Sequence, residues 1–214
     1  MIKILERLSE YKSVLCLDGN LEFDLLGKIK LPIVACDGAA DTLVKNGIEP
    51  SVIIGDLDSV DDNLLKSRKF IRLNDQNSTD FEKALTYIEE ESLSPALVFG
   101  VDGGYIDHIL GNIAIFSGTK FAAISKDIIF MSVDSSRSFD VEVNTKISIF
   151  GMPNCVIKSK GLRWELDNEE LFLCGKSSSS NRAVSDRVEL QVLSGKALVF
   201  IYTKMIFDAG AEIC

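Results

Sequence analysis

The chain has 214 residues, 46% of them hydrophobic, and a formal net charge of −9. That is enough for one large domain or two small ones with a sizeable core, and the negative balance argues against a general nucleic-acid or membrane-surface role, since both targets are anionic. No apolar run approaches the roughly 20 residues of a membrane span, and the N-terminal "MIKILERLSEYK" carries charges throughout and lacks the apolar core of a leader.

The first element is "SVLCLDG", a short buried strand, followed by the helix-like "EFDLLGKI". Its Cys16 and the Cys36 of the next strand sit inside apolar runs. With Cys155, Cys174 and Cys214 they form no CxxC, which fits a reducing cytoplasm without disulfides or zinc. The strand "LPIVACDG" ends on Asp37, and Gly38 lets the backbone approach a ligand closely as the helix "GAADTLVKNG" begins. Taken alone, the Asp-Gly pair reads more simply as a turn. The strand "SVIIGD" runs into Gly55 and then Asp56 and Asp58. In an extended segment, residues i and i+2 point to one side, so both carboxylates can hold one cation. Mg²⁺ reaches proteins in this way, through one or two carboxylates plus substrate phosphates. The alternative is a solvated turn, in which Asp is common.

A helix "DDNLLKSR" and a strand "KFIRL" lead to "NDQNSTDFEKAL". Thr79-Asp80-Phe81-Glu82 has the spacing of a capping box with Thr79 as N-cap, and Phe81, Ala84, Leu85 and Ile88 form the apolar stripe behind it. Asp80 then lies in the first turn, where the helix dipole favours a carboxylate; capping and cation binding both remain open for it. After the strand "ALVFG" comes a flexible loop with Gly103 and Gly104, then the helix "IDHILGNIAIFSG". Ile106, Ile109, Leu110 and Ile113 define its face, with Asp107 off that face and towards the sheet's carboxyl edge. His108 is the single histidine, and a lone histidine at a helix start is more often structural or solvated than catalytic. The strands "KFAAIS" and "DIIFMSV" complete this half. Strands alternating with helices predict a mostly parallel sheet covered on both faces, with ligands beyond the strands' carboxyl ends. The polar stretches "CDGAAD", "GDLDS", "NDQNSTD" and "GVDGGYIDH" all fall there.

From about residue 134 the pattern changes. "SRSFDVEV", "KISIFG", "CVIKS", "LRWEL", "ELFLCG", "RVELQVL" and "KALVFIYTK" are short, often alternate apolar with polar, and are separated by turn residues. They predict a small β-sandwich or barrel. The division is thus 1–133 for an α/β domain and 134–214 for an all-β domain, with "SSSSN" the one low-complexity run. Leu162, Trp164 and Leu166 are expected to alternate on one face of a strand, which by itself means core packing.

In this order and spacing, "DGAA", "GDLDSV", "DQNSTDFEKAL" and "GGYIDHILGNI", with "KGLRWEL" and "SSN" in the β half, resemble the thiamin pyrophosphokinase family over nearly the whole chain. The resemblance implies a Rossmann-like α/β domain that binds nucleotide and metal and carries catalysis. It implies a C-terminal β-sandwich that binds thiamin and dimerises. The implied reaction moves pyrophosphate from ATP to the primary alcohol of thiamin, giving AMP and thiamin diphosphate, with Mg²⁺, in a homodimer that binds thiamin near the subunit interface. Asp56, Asp58 and Asp80 match the metal and phosphate organisers and, with Asp107, the catalytic set. Asp37, Gly38, Gln76, Thr79, Gly103, Gly104 and His108 fall on the nucleotide side, and Trp164, Ser180 and Asn181 on the thiamin side.

Two positions depart from the family: "GAAD" for the more usual glycine-rich form is the milder departure, and Tyr105 is the one that matters. Tyr105 follows the double glycine where an arginine is usual, and a phenol cannot copy the guanidinium's bidentate grip on phosphate. Arg68, Arg72, Lys83 or a basic residue of a second subunit are the candidate substitutes. Such transfer asks mainly for in-line positioning and charge neutralisation, with one carboxylate, Asp107 or Asp80, taking the alcohol proton. Two other readings stand beside this one. A pyrophosphokinase on the same fold acts on another primary alcohol such as a hydroxymethylpterin; Trp164 and Ser180-Asn181 favour thiamin. A non-catalytic nucleotide or thiamin sensor would account for Tyr105, but gains little from a cluster of negative charge.

Overall fold

The structure, a computed structural model, describes residues 9–57, 60, 61, 66, 69–75 and 77–203. In the first half the apolar runs become β1 (Ser13–Cys16), β2 (Ile33–Cys36), β3 (Val52–Gly55), β4 (Phe70–Arg72), β5 (Ala96–Phe99) and β6 (Ala122–Ser125). β1, β2, β3 and β5 are buried at every position, as continuous aliphatic runs predict for parallel strands covered on both faces. β4 closes the edge and is partly exposed. The strand order is β6-β5-β1-β2-β3-β4. β1 pairs in parallel with β2 and β5, β2 with β3, and β3 with β4. The sheet therefore grows outward from β1 to β4 and resumes at β5 on the other side of β1. The carboxyl ends on either side of such a reversal form the usual ligand crevice of open α/β sheets.

The helices are α1 (Phe23–Leu26), a single turn, then α2 (Asp37–Lys45), α3 (Asp80–Glu90) and α4 (Ile106–Ser117). Both α2 and α3 pack on β2 and β3. The helix expected at "DDNLLKSR" lies largely outside the described residues. On α4 the apolar stripe is present, but Ile106 is 77% and Leu110 61% exposed, and Phe116 is the helix's one buried residue. Periodicity marks a face that favours cover without saying which chain supplies it. No described helix is long and apolar enough to cross a membrane. Cys16, Cys36, Cys155 and Cys174 are free thiols, the first three buried; Cys214 lies outside the described residues.

By packing, the described residues up to Ile115 form one compact unit together with Ala123–Ser125. Phe116–Ala122 and the described residues from Lys126 on form the other. The second unit contains β7 (Ile128–Val133), β8 (Ser136–Asp140), β9 (Lys146–Lys160), β10 (Glu169–Phe172), β11 (Ser178–Arg182) and β12 (Arg187–Tyr202). All of its pairings are antiparallel: β12 with β7, β8 and β9, and β9 with β10 and β11. This is the expected small C-terminal β-sandwich. Its apolar interior includes the ring sequence Phe116–Phe130–Phe200–Phe150, with neighbouring centroids 5.0, 5.1 and 5.8 Å apart.

Three expectations about individual strands change. "KISIFG" and "CVIKS" are one strand, β9, and "RVELQVL" and "KALVFIYTK" are one strand, β12. The turn-like Ser194-Gly195 region is absorbed by register shifts between Val192 and Ser194 and between Gly195 and Ala197, since a bulge bends a strand without ending it. The serine run forms β11, because ladder bonds use the backbone and do not require apolar side chains. "LRWEL" is not a strand. Gly161 N and Leu162 N donate to the Glu165 carboxylate at 2.7 and 3.0 Å, and a side chain that captures these amides curls the segment away from a ladder. Leu162 and Leu166 are buried, but Trp164 between them is 59% exposed, so the expected shared face does not form.

Candidate active site

Three carboxylates meet at the carboxyl end of the parallel sheet. β2 ends and α2 begins on Asp37, β3 hands over to Asp56, and α3 opens with Asp80. One carboxylate oxygen from each lies within 4.8 Å of the other two. Asp37 is buried, and Asp56 and Asp80 are half-buried. Gly55 makes the approach possible. A Cβ built there would stand 2.7 Å from Asp37 Cβ and 3.4 Å from Asp80 Cγ, so any side chain would force the acids apart. Gly38 does the same for a fourth acid that sequence reasoning missed: a Cβ at Gly38 would lie 2.6 Å from Asp18 Cγ.

Like charges this close repel in a partly dry site. Two offsets come from the helices, since Asp37 and Asp80 sit in the first turns of α2 and α3, where the dipole favours negative charge. A third comes from Lys83, whose Nζ lies 2.9 Å from Asp80 Oδ1 with the side chain only 6% exposed. Burial is the largest influence on Lys83 and works against its charge, but the hydrogen bond and charge of Asp80, with Asp56 and Asp75 behind it, together hold its pKa above the ordinary value. Lys83 lies three residues after Asp80, the spacing of neighbours on a helix. The spacing is visible in the sequence; the burial of the lysine is not, because it depends on what packs against the helix.

The donor set is all oxygen, which suits a hard divalent cation such as Mg²⁺. The nearby Cys36 thiol bonds to the Asp80 carbonyl at 3.5 Å. Burial first, then the charge of Asp80, pushes its pKa well up. Asp58 and Gln76 lie outside the described residues, as does Arg68. Leu57 has φ 63°, so the extended backbone on which the same-side reading of Asp56 and Asp58 relied is absent there. Arg72 is exposed at the end of β4.

Thr79 forms the expected capping box. Glu82 N donates to Thr79 Oγ1 at 3.2 Å, and Thr79 N donates to Glu82 Oε2 at 2.8 Å. The Thr79 side chain is thereby committed to holding the turn that carries Asp80. Gly103 (φ 110°) packs so closely on the β1 loop that a Cβ would stand 2.8 Å from Asn20 N, and Asn20 Nδ2 donates to Asp102 Oδ2 at 2.9 Å. Gly104 follows at φ 71°. Asp107 is exposed, accepts a bond from His108 N at 3.0 Å, and does not belong to the carboxylate group above. His108 is also exposed, its ring edge-on to Tyr105 at 5.9 Å.

In the β unit, Asn181 is buried and pins the Trp164 loop. Trp164 N donates to Asn181 Oδ1 at 3.2 Å, and Asn181 Nδ2 donates to Trp164 O at 2.7 Å and to Ser178 Oγ at 3.0 Å. The amide holds the tryptophan's backbone, and the indole is left open beside the Arg163 guanidinium, 5.7 Å from its ring. Ser180 is exposed with φ 57°, and its N–H donates to Ser148 Oγ at 3.0 Å.

Comparison with known proteins covers both halves. Residues 24–126 match the model of "Thiamin pyrophosphokinase, catalytic domain" and residues 137–196 that of "Thiamin pyrophosphokinase, vitamin B1 binding domain". Thiamine pyrophosphokinase 1 of Arabidopsis thaliana is 24% identical over 170 residues, 69% of this chain and 64% of that protein, so the chain spans a little under two thirds of that relative's length. Thiamin pyrophosphokinase 1 of Caenorhabditis elegans is 27% identical over 188 residues, 78% of this chain and 76% of that one. The crystal structure of the Bacillus subtilis thiamine pyrophosphokinase has the same fold, with TM-score 0.77 at 20% identity over 91% of this chain and 100% of that chain. So has the yeast protein, at 0.78 and 18% over 94% and 89%. Two family models in succession, together spanning most of the sequence, make this chain a member of the thiamin pyrophosphokinase family.

Proposed function

We propose that the protein transfers the pyrophosphoryl group of ATP to the hydroxyl of thiamin, giving thiamin diphosphate and AMP. The observation that carries this reading is the Asp37–Asp56–Asp80 cluster at the carboxyl end of the sheet. Such acids serve a triphosphate only together with a cation. Mg²⁺ fits their all-oxygen donors and, when bound, supplies charge neutralisation on the phosphates. Asp56 and Asp80 would hold it, with Asp58 as the further ligand the motif implies and Asp37 behind them. The first turn of α2, which begins beside Gly38 without a side-chain cap from Cys36, offers amide N–H groups to phosphate oxygens. The thiamin hydroxyl attacks the β-phosphorus, the bond from that phosphorus to the bridging oxygen breaks, and the oxygen leaves on AMP. Asp107 or Asp80 accepts the alcohol proton. Trp164 presents an aromatic face to the flat, cationic rings of thiamin, and Asn181 fixes the loop that presents it. The working form is a cytoplasmic homodimer acting on small molecules, with no nucleic-acid or membrane partner.

The test is incubation with thiamin, ATP and Mg²⁺ followed by product identification. Thiamin diphosphate and AMP in equal amounts are expected. Thiamin monophosphate with ADP overturns the reading, and turnover of a hydroxymethylpterin in place of thiamin would move it to the other alcohol.

A further inference from the structure

Lys83 is buried on α3, as are Phe81, Ala84 and Ile88, and its ammonium reaches back to Asp80 Oδ1 at 2.9 Å. Lysine is almost never buried unless an opposite charge holds it. Here that charge belongs to one of the three carboxylates of the candidate cation site. We propose that Lys83 is a resident counter-ion of this cluster. Without a cation its ammonium neutralises part of the charge and fixes the Asp80 carboxylate, and it thereby sets how tightly the cluster takes a divalent cation by itself. The inference rests on the reading of Asp37, Asp56 and Asp80 as the cation site.

The argument is one of charge balance. Three carboxylates without Lys83 would draw a divalent cation strongly and would repel one another in its absence. With the ammonium against Asp80, an incoming cation meets a positive charge at close range, and its net gain falls. A polyphosphate reverses this, because its own negative charge balances the ammonium and the cation together. Lys83 therefore couples cation uptake to nucleotide arrival. It acts through Asp80 and is a positioning residue.

The experiment titrates MgCl₂ into the wild type, Lys83→Gln and Lys83→Arg, following heat of binding and the rise in melting temperature, with and without a non-hydrolysable ATP analogue. Glutamine keeps a donor for Asp80 without the charge; arginine keeps the charge. Removal of one like charge at contact range should let Lys83→Gln bind Mg²⁺ alone roughly tenfold or more tightly than the wild type. The gain in Mg²⁺ affinity on adding the analogue should shrink by the same factor, and Lys83→Arg should stay near the wild type. A lysine with only a structural role would lower the melting temperature of the glutamine variant without tightening Mg²⁺ binding, so unchanged or weaker affinity overturns the proposal. Lys83→Met is the second uncharged variant, read in the same way should Lys83→Gln not fold. Absence of Mg²⁺ uptake by every protein overturns both this proposal and the cation-site reading. Assaying thiamin diphosphate formation in the same preparations shows separately whether the reaction stands.

Discussion

Trp164 is the chain's only tryptophan, and its indole is open to solvent although its backbone is clamped on both polar atoms by Asn181. A rigid mount under an exposed aromatic ring fits a binding surface better than a packing role. Cation–π attraction for a thiazolium over this ring would contribute about 0.5–2 kcal/mol. Thiamin should therefore quench indole fluorescence saturably, and Trp164→Phe should weaken binding less than Trp164→Ala. An emission spectrum unmoved by thiamin, in protein shown by calorimetry to bind it, would remove Trp164 from the site. At this scale the sequence was legible where chemistry and position coincide. Asp37, Asp56 and Asp80 each end a strand or begin a helix, and carboxylates so placed point to one edge. Lys83 reads in the sequence only as a possible phosphate contact, because polar residues on a helix ordinarily face water. The fold at Trp164 was misread because alternation alone does not reveal that the Glu165 carboxylate takes the amides of Gly161 and Leu162.

The element that matters most to the site is α3, and its start is fixed by a few hydrogen bonds. Thr79→Ala removes the acceptor for Glu82 N and should cost about 1 kcal/mol in urea unfolding at pH 7; a loss near zero would mean that packing on β2 and β3 alone holds the first turn. The other half of the box is sensitive to pH. The Thr79 amide first, and its hydroxyl second, hold the Glu82 carboxyl below its usual pKa. A depressed carboxylate pKa contributes stability that is full above the unfolded value and is lost as pH falls through the folded one. Acid should thus loosen this helix start, and neutral or mildly alkaline solution should leave it intact. The capping box was readable because its signal is local, four residues long and tied to specific backbone donors. The ends of β9 and β12 were not, because whether a glycine ends a strand or is carried through as a bulge depends on the neighbouring strand.

At the scale of the molecule, the change from helix-and-strand alternation to strands alone was plain in the sequence, because period and turn spacing differ throughout each half. The partner of the apolar stripe on α4 was not legible, since periodicity is the same whether a helix faces its own chain or another. Ile106 and Leu110 on α4, and Leu173 and Val184 in the β unit, remain exposed. We expect light scattering at micromolar concentration to give a mass twice that of the chain, as for a two-fold homodimer. A monomer with full activity would rule the dimer out as the working form.

The spacing of the three carboxylates depends on an atom that is absent. Asp37 and Asp80 draw together over Gly55 because no methyl stands between them, and the acids are carried by the junctions of β2, β3 and α3. The points from which the three acids project are therefore set in backbone, and a side-chain rotation moves the oxygens without moving those points. Such a gauge does not drift while the layer of helix on sheet stays closed. Until α3 packs onto β3, only Asp37 and Asp56, carried by the paired β2 and β3, are held near each other, and the cluster lacks its third acid.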